Sequence, residues 1–248
     1  MAHQEETIFP LQIAERPLTI GEMVVEDYRK AEVFRKFGLD YCCGGKKSLE
    51  DACQKKGLDP KFVQAELDAV NLMAAAPHQD YDTWPMDALV EHIIARHHRY
   101  VTDALPMLHE LTAKVARVHG ERHPELVAIA GLFDAVAQEL QMHMRKEEHI
   151  LFPHIIKMAV AEHEATQMPI PVFGSIENPI RMMEAEHESA GGAMAEIQRL
   201  SSDYTPPLDA CTSYRVLFAK LQEFEQDLHQ HVHLENNILF PKAIALEK

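Results

Sequence analysis

His143-Met-Arg-Lys-Glu147-Glu-His-Ile150-Leu151-Phe152-Pro153 recurs as His231-Val-His-Leu-Glu235-Asn-Asn-Ile238-Leu239-Phe240-Pro241. The offset is 88 residues at both ends, from 143 to 231 and from 153 to 241. A histidine and a glutamate four residues apart lie on one face of a helix and reach a common point, so each copy offers two metal-ligand types side by side. Two other segments answer with one histidine each, His98 and His187, at matched distances of 45 and 44 residues ahead of the two copies.

Apolar periodicity around these residues marks four long amphipathic segments, roughly 86 to 118, 124 to 163, 179 to 201 and 208 to 246. Pro124 and Pro179 suit first helical turns, Asn178 suits a cap, and Pro206-Pro207 precedes the last segment. Helices of this length and number predict a four-helix bundle. The connection from about 164 to 178, with two prolines and a glycine, is predicted to cross over or to cover one end. The seam positions run Val136, Leu140, His143, Glu147, Ile150 and Phe224, Leu228, His231, Glu235, Ile238 on the paired segments. They run Ile94, His98, Val101, Leu105, Leu108 and Met183, His187, Ala190, Met194, Ile197 on the others, always with 4-3-4-3 spacing. All six polar residues thus sit where a bundle points inward.

Two carboxylates buried without partners cost several kcal/mol each, and a pair of cations removes that penalty. Four imidazoles and two carboxylates divide into two half-sites, each with two histidines and with the glutamates shared. Nitrogen and oxygen ligands without thiolate favour iron or manganese over structural zinc. The other histidines fail the same test. His229 and His233 lie two residues either side of His231, about 200 degrees around a helix, and are expected to be solvated. His97 is one residue off the seam and is the main rival to His98. His92, His109, His119, His123, His154 and His163 have no repeat counterpart and are expected at the surface.

Ahead of the bundle, residues 18 to 74 divide into short helices opened by Thr19, by Ser48 with Asp51, and by Asp59-Pro60. Between them Tyr41-Cys42-Cys43-Gly44-Gly45 forms a tight turn. Ala74 to Pro85 loses periodicity and suits a linker, which places a boundary near residue 82 and divides the chain into 1–82 and 83–248. The whole is expected to be all-α. With 39 acidic against 24 basic residues, the net charge of -15 opposes nucleic acid and anionic membrane as partners and suits cations. Sixteen histidines against one tryptophan fit the same theme. No signal-like start and no membrane-length apolar run stand in the sequence, so a cytoplasmic place is expected, with Cys42, Cys43, Cys53 and Cys211 reduced.

The order His98, His143-xxx-Glu147, His187, His231-xxx-Glu235, the two ILFP ends and Asp40-Tyr41-Cys42-Cys43-Gly44-Gly45 together resemble the bacterial repair-of-iron-centres family. Met183-Glu-Ala-Glu-His187-Glu-Ser-Ala-Gly191 and Thr205-Pro-Pro-Leu-Asp-Ala-Cys-Thr212 add to the likeness. The resemblance extends from about residue 18 to the end. It implies a hemerythrin-like antiparallel bundle after a small helical domain, holding two non-haem iron ions that are carboxylate-bridged and, when oxidised, oxo-bridged. His98, His143, His187 and His231 would be terminal ligands, Glu147 and Glu235 the bridges, and Glu186 part of an access route. The implied role is repair of iron-sulfur clusters after nitrosative or oxidative damage, by a monomer or homodimer. The alternatives are nitric oxide reduction at the irons and reversible O2 or NO sensing. Cys42 and Cys43, near Lys46 and Lys47, are expected to favour thiolate and to pass iron or NO between the bundle and damaged iron-sulfur proteins. No catalytic residue is indicated. The connection from 164 to 178 is longer and richer in proline than the family pattern, which bears on the entrance.

Overall fold

The computed structural model describes residues 16–72 and 80–248, and every regular element among them is helical. Four short helices come first: α1 (Ile20–Glu26), α2 (Lys30–Lys36), α3 (Leu49–Lys56) and α4 (Pro60–Leu72). The starts of α1, α3 and α4 are capped by the side chains that the sequence marks, whereas α2 begins without a side-chain cap. Thr19 accepts from the Glu22 amide while Glu22 reaches back to Thr19, Ser48 accepts from the Asp51 amide at 3.1 Å, and Asp59 accepts from the Lys61 amide at 2.9 Å. The first half of the expected linker, 74 to 79, lies outside the described residues. After it a 3-10 turn at Tyr81–Thr83 leads into the bundle.

Three of the four rods are interrupted by a wide π turn. The first rod is α5 (Met86–His92), π1 (Ile93–His98) and α6 (Arg99–His119). The second is α7 (Glu125–Lys146), π2 (Glu147–Leu151) and α8 (Phe152–His163); the third is α9 (Glu177–Leu200) alone. The fourth is α10 (Thr212–Leu234), π3 (Glu235–Leu239) and α11 (Phe240–Glu247). Neighbours in sequence pack side by side, and the fourth rod closes the ring against the first, giving the hemerythrin-like antiparallel bundle. No helix among the described residues is long and apolar enough to cross a membrane.

The π turns correct the expected seam. An i→i+5 turn adds a residue to the helical ladder and slips everything beyond it by one position. Ile150, expected inside, is 52% exposed and Leu151 takes its place at 1%. Likewise Ile93 is fully buried and Ile94 only half-buried. Pro153 and Pro241 follow each turn at the start of the next helix, where a missing N–H costs least. Asn178 is not the cap of α9. The helix begins at Glu177, and the Glu247 carboxylate accepts from the Ile176 amide at 2.8 Å and from Ser175 Oγ at 2.6 Å. This bond ties the end of the fourth rod to the 164–176 connection, which covers one bundle end by laying Met168 and Phe173 on a cluster that includes Leu89, Phe152, Ile180 and Phe240.

The N-terminal helices share a core with the bundle, continuous from Ile20, Phe34 and Leu67 to Val101, Phe133 and Leu228. That layer overturns the expectation of solvated His229 and His233. Both face away from the seam, but Tyr41 packs on each at ring distances of 6.1 and 5.6 Å, and Tyr28 on His233 at 6.1 Å. His233 is 2% exposed and His229 is half-buried. His92, His119, His123 and His154 are half-buried rather than at the open surface; His109 and His163 are exposed.

Candidate metal centre

Six side chains meet at mid-bundle with almost no solvent contact: His98 at 2%, His143 and His187 at 1%, and His231, Glu147 and Glu235 at 0%. Glu147 Oε2 lies 3.4 Å from His98 Nε2 and 3.2 Å from His143 Nε2. Glu235 lies 3.0 Å from His231 Nε2, 3.2 Å from His187 Nε2 and 3.9 Å from His98 Nε2. The ligand atoms fall into two groups, His98-His231-Glu147-Glu235 and His143-His187-Glu147-Glu235, each with all atoms within 4.8 Å of one another. Both carboxylates belong to both groups. His97, the rival, belongs to neither; its Nδ1 binds Asp227 at 3.0 Å and its ring stacks on His231 at 5.6 Å.

Outside the cage, three imidazoles turn their second nitrogen to an acceptor. His98 Nδ1 meets Glu148 Oε1 at 2.8 Å, His143 Nδ1 meets Glu186 Oε2 at 2.9 Å, and His187 Nδ1 meets Asn236 Oδ1 at 2.9 Å. With Nδ1–H donating outward, the Nε2 lone pairs point inward, which is the tautomer that a metal requires. Lys146 also pairs with Glu186. The two ILFP phenylalanines seal the cage: Phe152 stacks on His98 at 5.6 Å and Phe240 on His187 at 6.2 Å.

The second copy therefore serves the third rod as the first copy serves the first. Glu148 and Asn236 both follow a cage glutamate by one residue, and both hold the histidine of a single-ligand rod. His97 and Glu186 both precede that histidine, and each lies against a histidine of the motif pair. The repeat offset of 88 aligns Glu148 with Asn236, so the signal was present in the sequence; their job was not.

The cage fits cations. His143 Nε2 and His187 Nε2 face each other at 2.9 Å, and two lone pairs at that distance repel unless a positive charge sits between them. Neither oxygen of Glu147, nor Glu235 Oε2, nor His98 Nε2 has a hydrogen-bond partner, although all are buried. In the metal-free chain, protons answer this demand. Burial pulls His98 and His143 down, but Glu147 and Glu235 overcome it and hold them up to about 10 and about 9. Burial pushes Glu235 up, and His231, His187 and His98 overcome it and hold the carboxyl well below its ordinary value.

Cys42 and Cys43 do not touch the cage. They sit on the turn over the fourth rod, with Sγ atoms 3.9 Å apart, and with Asp40 they form a third group of ligand atoms. The expected ease of thiolate formation is corrected at Cys42: contact with Cys43, burial and the Asp40 carboxylate push its thiol well above the ordinary value. Lys46 does not offset this, because it pairs with Glu184 at 2.7 Å.

The pattern of the Hemerythrin HHE cation binding domain matches residues 89–243, and that of a Domain of Unknown function, DUF542, matches 17–71. Similar proteins carry the name iron-sulfur cluster repair protein YtfE. That of Citrobacter koseri is 36% identical over 232 residues, covering 94% of this chain and 99% of the relative. That of Escherichia coli is 34% identical over 235 residues, covering 95% and 100%; that of Yersinia pestis is 36% identical over 234 residues, covering 94% and 99%. Fold and cage together define a hemerythrin-type helical bundle, a class that implies iron as the cation, with histidine and glutamate groups able to hold it. More particularly, the chain belongs to the family of these iron-sulfur cluster repair proteins, the repair-of-iron-centres family.

Proposed function

We propose that this chain is a di-iron protein that repairs iron-sulfur clusters damaged by nitrosative or oxidative stress, by supplying or managing iron. The supporting observation is that Glu147 and Glu235 are common to both ligand groups, so the six residues suit two cations joined by two carboxylates. His98 and His231 would hold one iron, and His143 and His187 the other. Bound iron supplies Lewis acidity, a one-electron couple and affinity for NO or O2.

The chain's own residues orient and protect that centre. Glu148, Glu186 and Asn236 fix three imidazoles with their lone pairs inward, and Phe152 and Phe240 keep water from the ring faces. A histidine and carboxylate set without thiolate gives iron up when its ligands take protons, which suits a donor. The relatives' name supports cluster repair for this chain; its clients would be damaged iron-sulfur proteins, met in the cytoplasm. Residues 83–248 would carry the iron, and residues up to about 82 would present Cys42 and Cys43 as the point where iron or NO passes in or out. Glu186, bonded to His143, would line the way in.

The test is transfer. An iron-loaded chain mixed with a damaged or cluster-free client is expected to lose iron as the client's cluster absorption returns. A loaded chain that keeps its iron while turning NO and a reductant into nitrous oxide replaces repair by NO reduction. A Cys42→Ser, Cys43→Ser protein that restores the client as fast as the parent removes the thiols from the scheme.

A further inference from the structure

The two motif copies differ in one chemically telling place. After Glu147 comes a glutamate, and after Glu235 comes an asparagine, yet Glu148 and Asn236 each accept from the Nδ1–H of a cage histidine. A carboxylate accepts but cannot donate, whereas an amide does both. Asn236 uses both ends. Its Oδ1 faces His187 Nδ1 at 2.9 Å, and its Nδ2 donates to the Cys42 carbonyl at 3.4 Å. The Cys42 carbonyl can only accept, so it fixes which end of the amide turns to His187. Asn236 is 6% exposed, so the amide is held in place rather than free to swing in water.

The turn that supplies this carbonyl is clamped to the bundle. Asn237 Nδ2 donates to Tyr41 and Cys42 carbonyls, both at 3.3 Å, and the Gly21 amide donates to the Gly45 carbonyl at 2.9 Å. A Cβ on Gly45 would lie 2.7 Å from Asn237 Oδ1, so glycine alone lets the turn sit this close. A cavity of about 320 Å³ opens beside it, lined by Cys42, Cys43, Lys46, Glu184, Asn236 and Asn237. On its other side the Cys43 sulfur rests against α9, where a Cβ on Gly191 would meet it at 3.4 Å. A second cavity of about 330 Å³, lined by Cys43, Gly191 and Gly192, lies on that side, so a group on the thiols reaches the amide by filling the first cavity, which Asn236 lines.

From this we infer that Asn236 is a positioning residue that couples the state of the Cys42-Cys43 turn to His187, and through it to the His143-His187 half of the metal centre. An adduct or ion on the thiols moves the Cys42 carbonyl, releases the amide and loosens His187. Iron in that half becomes easier to lose while the thiols are engaged. The first motif copy has no such link, because Glu148 ends at His98 with a side chain 35% exposed. The inference rests on the iron role proposed above.

The test uses the full-length, iron-loaded chain carrying Cys211→Ser, because Cys211 is exposed and would react first. Iodoacetamide is the probe at Cys43; the readouts are the visible spectrum and the rate of iron release to a chelator. Alkylation of this parent is expected to shift the spectrum and speed release about tenfold, the lower end of the loss on removing an outer partner of a ligand. Asn236→Asp keeps an acceptor for His187 and loses the donor for Cys42; it is expected to hold iron and to ignore alkylation. Asn236→Ala lacks both and is expected to release iron about 10- to 100-fold faster than the parent before any alkylation. A parent whose spectrum and release rate are unmoved by alkylation overturns the coupling, as does an Asn236→Asp chain that responds as fully as the parent. A parent that never takes up iron sinks the proposed function itself, and shows it before iodoacetamide is added.

Discussion

Around Glu147 the outer side of the motif meets solvent, whereas around Glu235 the same motif is enclosed on both sides. Ile150 is 52% exposed and its counterpart Ile238 is 3% exposed; Arg145 corresponds to the buried His233. The cause is the N-terminal layer, which lays Tyr28, Tyr41 and Cys42 against α10 and π3. What the comparison teaches is which residues belong to the chemistry and which to the surroundings. Histidine, glutamate, the residue after it and the stacking phenylalanine keep their tasks in both places. The positions facing outward drift with whatever covers them.

The largest expected effect tests the shared part. The parent should carry about two irons per chain, and Glu147→Ala with Glu235→Ala should carry none and lose its visible charge-transfer bands, as iron quantification and absorption would show. The single variants sharpen the contrast. Glu235 lies near three imidazoles and Glu147 near two, so Glu235→Ala should lower iron content at least as far as Glu147→Ala.

Next comes the unshared part. Ile238→Ala should cost about 2–4 kcal/mol in urea unfolding, because it empties a packed position. Ile150→Ala should stay within about 0.5 kcal/mol, because that side chain is largely in water already. Equal losses would mean that the outer layer does not distinguish the two copies.

The smallest effect is on pH, in the metal-free chain. His98 and His143 are held at about 10 and about 9 against an ordinary 6.5, so their stabilisation is complete below 6.5 and lost as pH rises to those values. His233, buried under the tyrosines, is held down at about 3, so its contribution is complete above 6.5 and lost as pH falls towards 3. Cage and contact layer thus pull in opposite directions, and stability should peak near 6.5. Unfolding across this range checks it; an alkaline fall that persists in His98→Ala, His143→Ala would break the contrast.

The bundle and its cage were legible because the information is local and repeated. His143, Glu147, His231 and Glu235 declare a helix face by spacing alone, and the constant offset separates them from histidines such as His154 and His163. Less local facts were hidden. A π turn shifts Ile150 out and Leu151 in without disturbing the apolar count, so periodicity is silent on it. The burial of His233 depends on Tyr41, almost two hundred residues earlier in the chain, and no pattern around His233 announces it. Asn236 was visible as a mismatch between the copies, but its second bond runs to a backbone carbonyl, which carries no residue-type signature.

The wide turns have a consequence for anyone who would transplant this centre into a designed protein. A straight α-helix bearing His-xxx-Glu would present both ligands, but the residue five places after the glutamate would arrive about 100 degrees from where Phe152 and Phe240 stand. The graft would hold its ligands with one ring face left open to water. A faithful copy must carry the extra residue in the backbone along with the side chains.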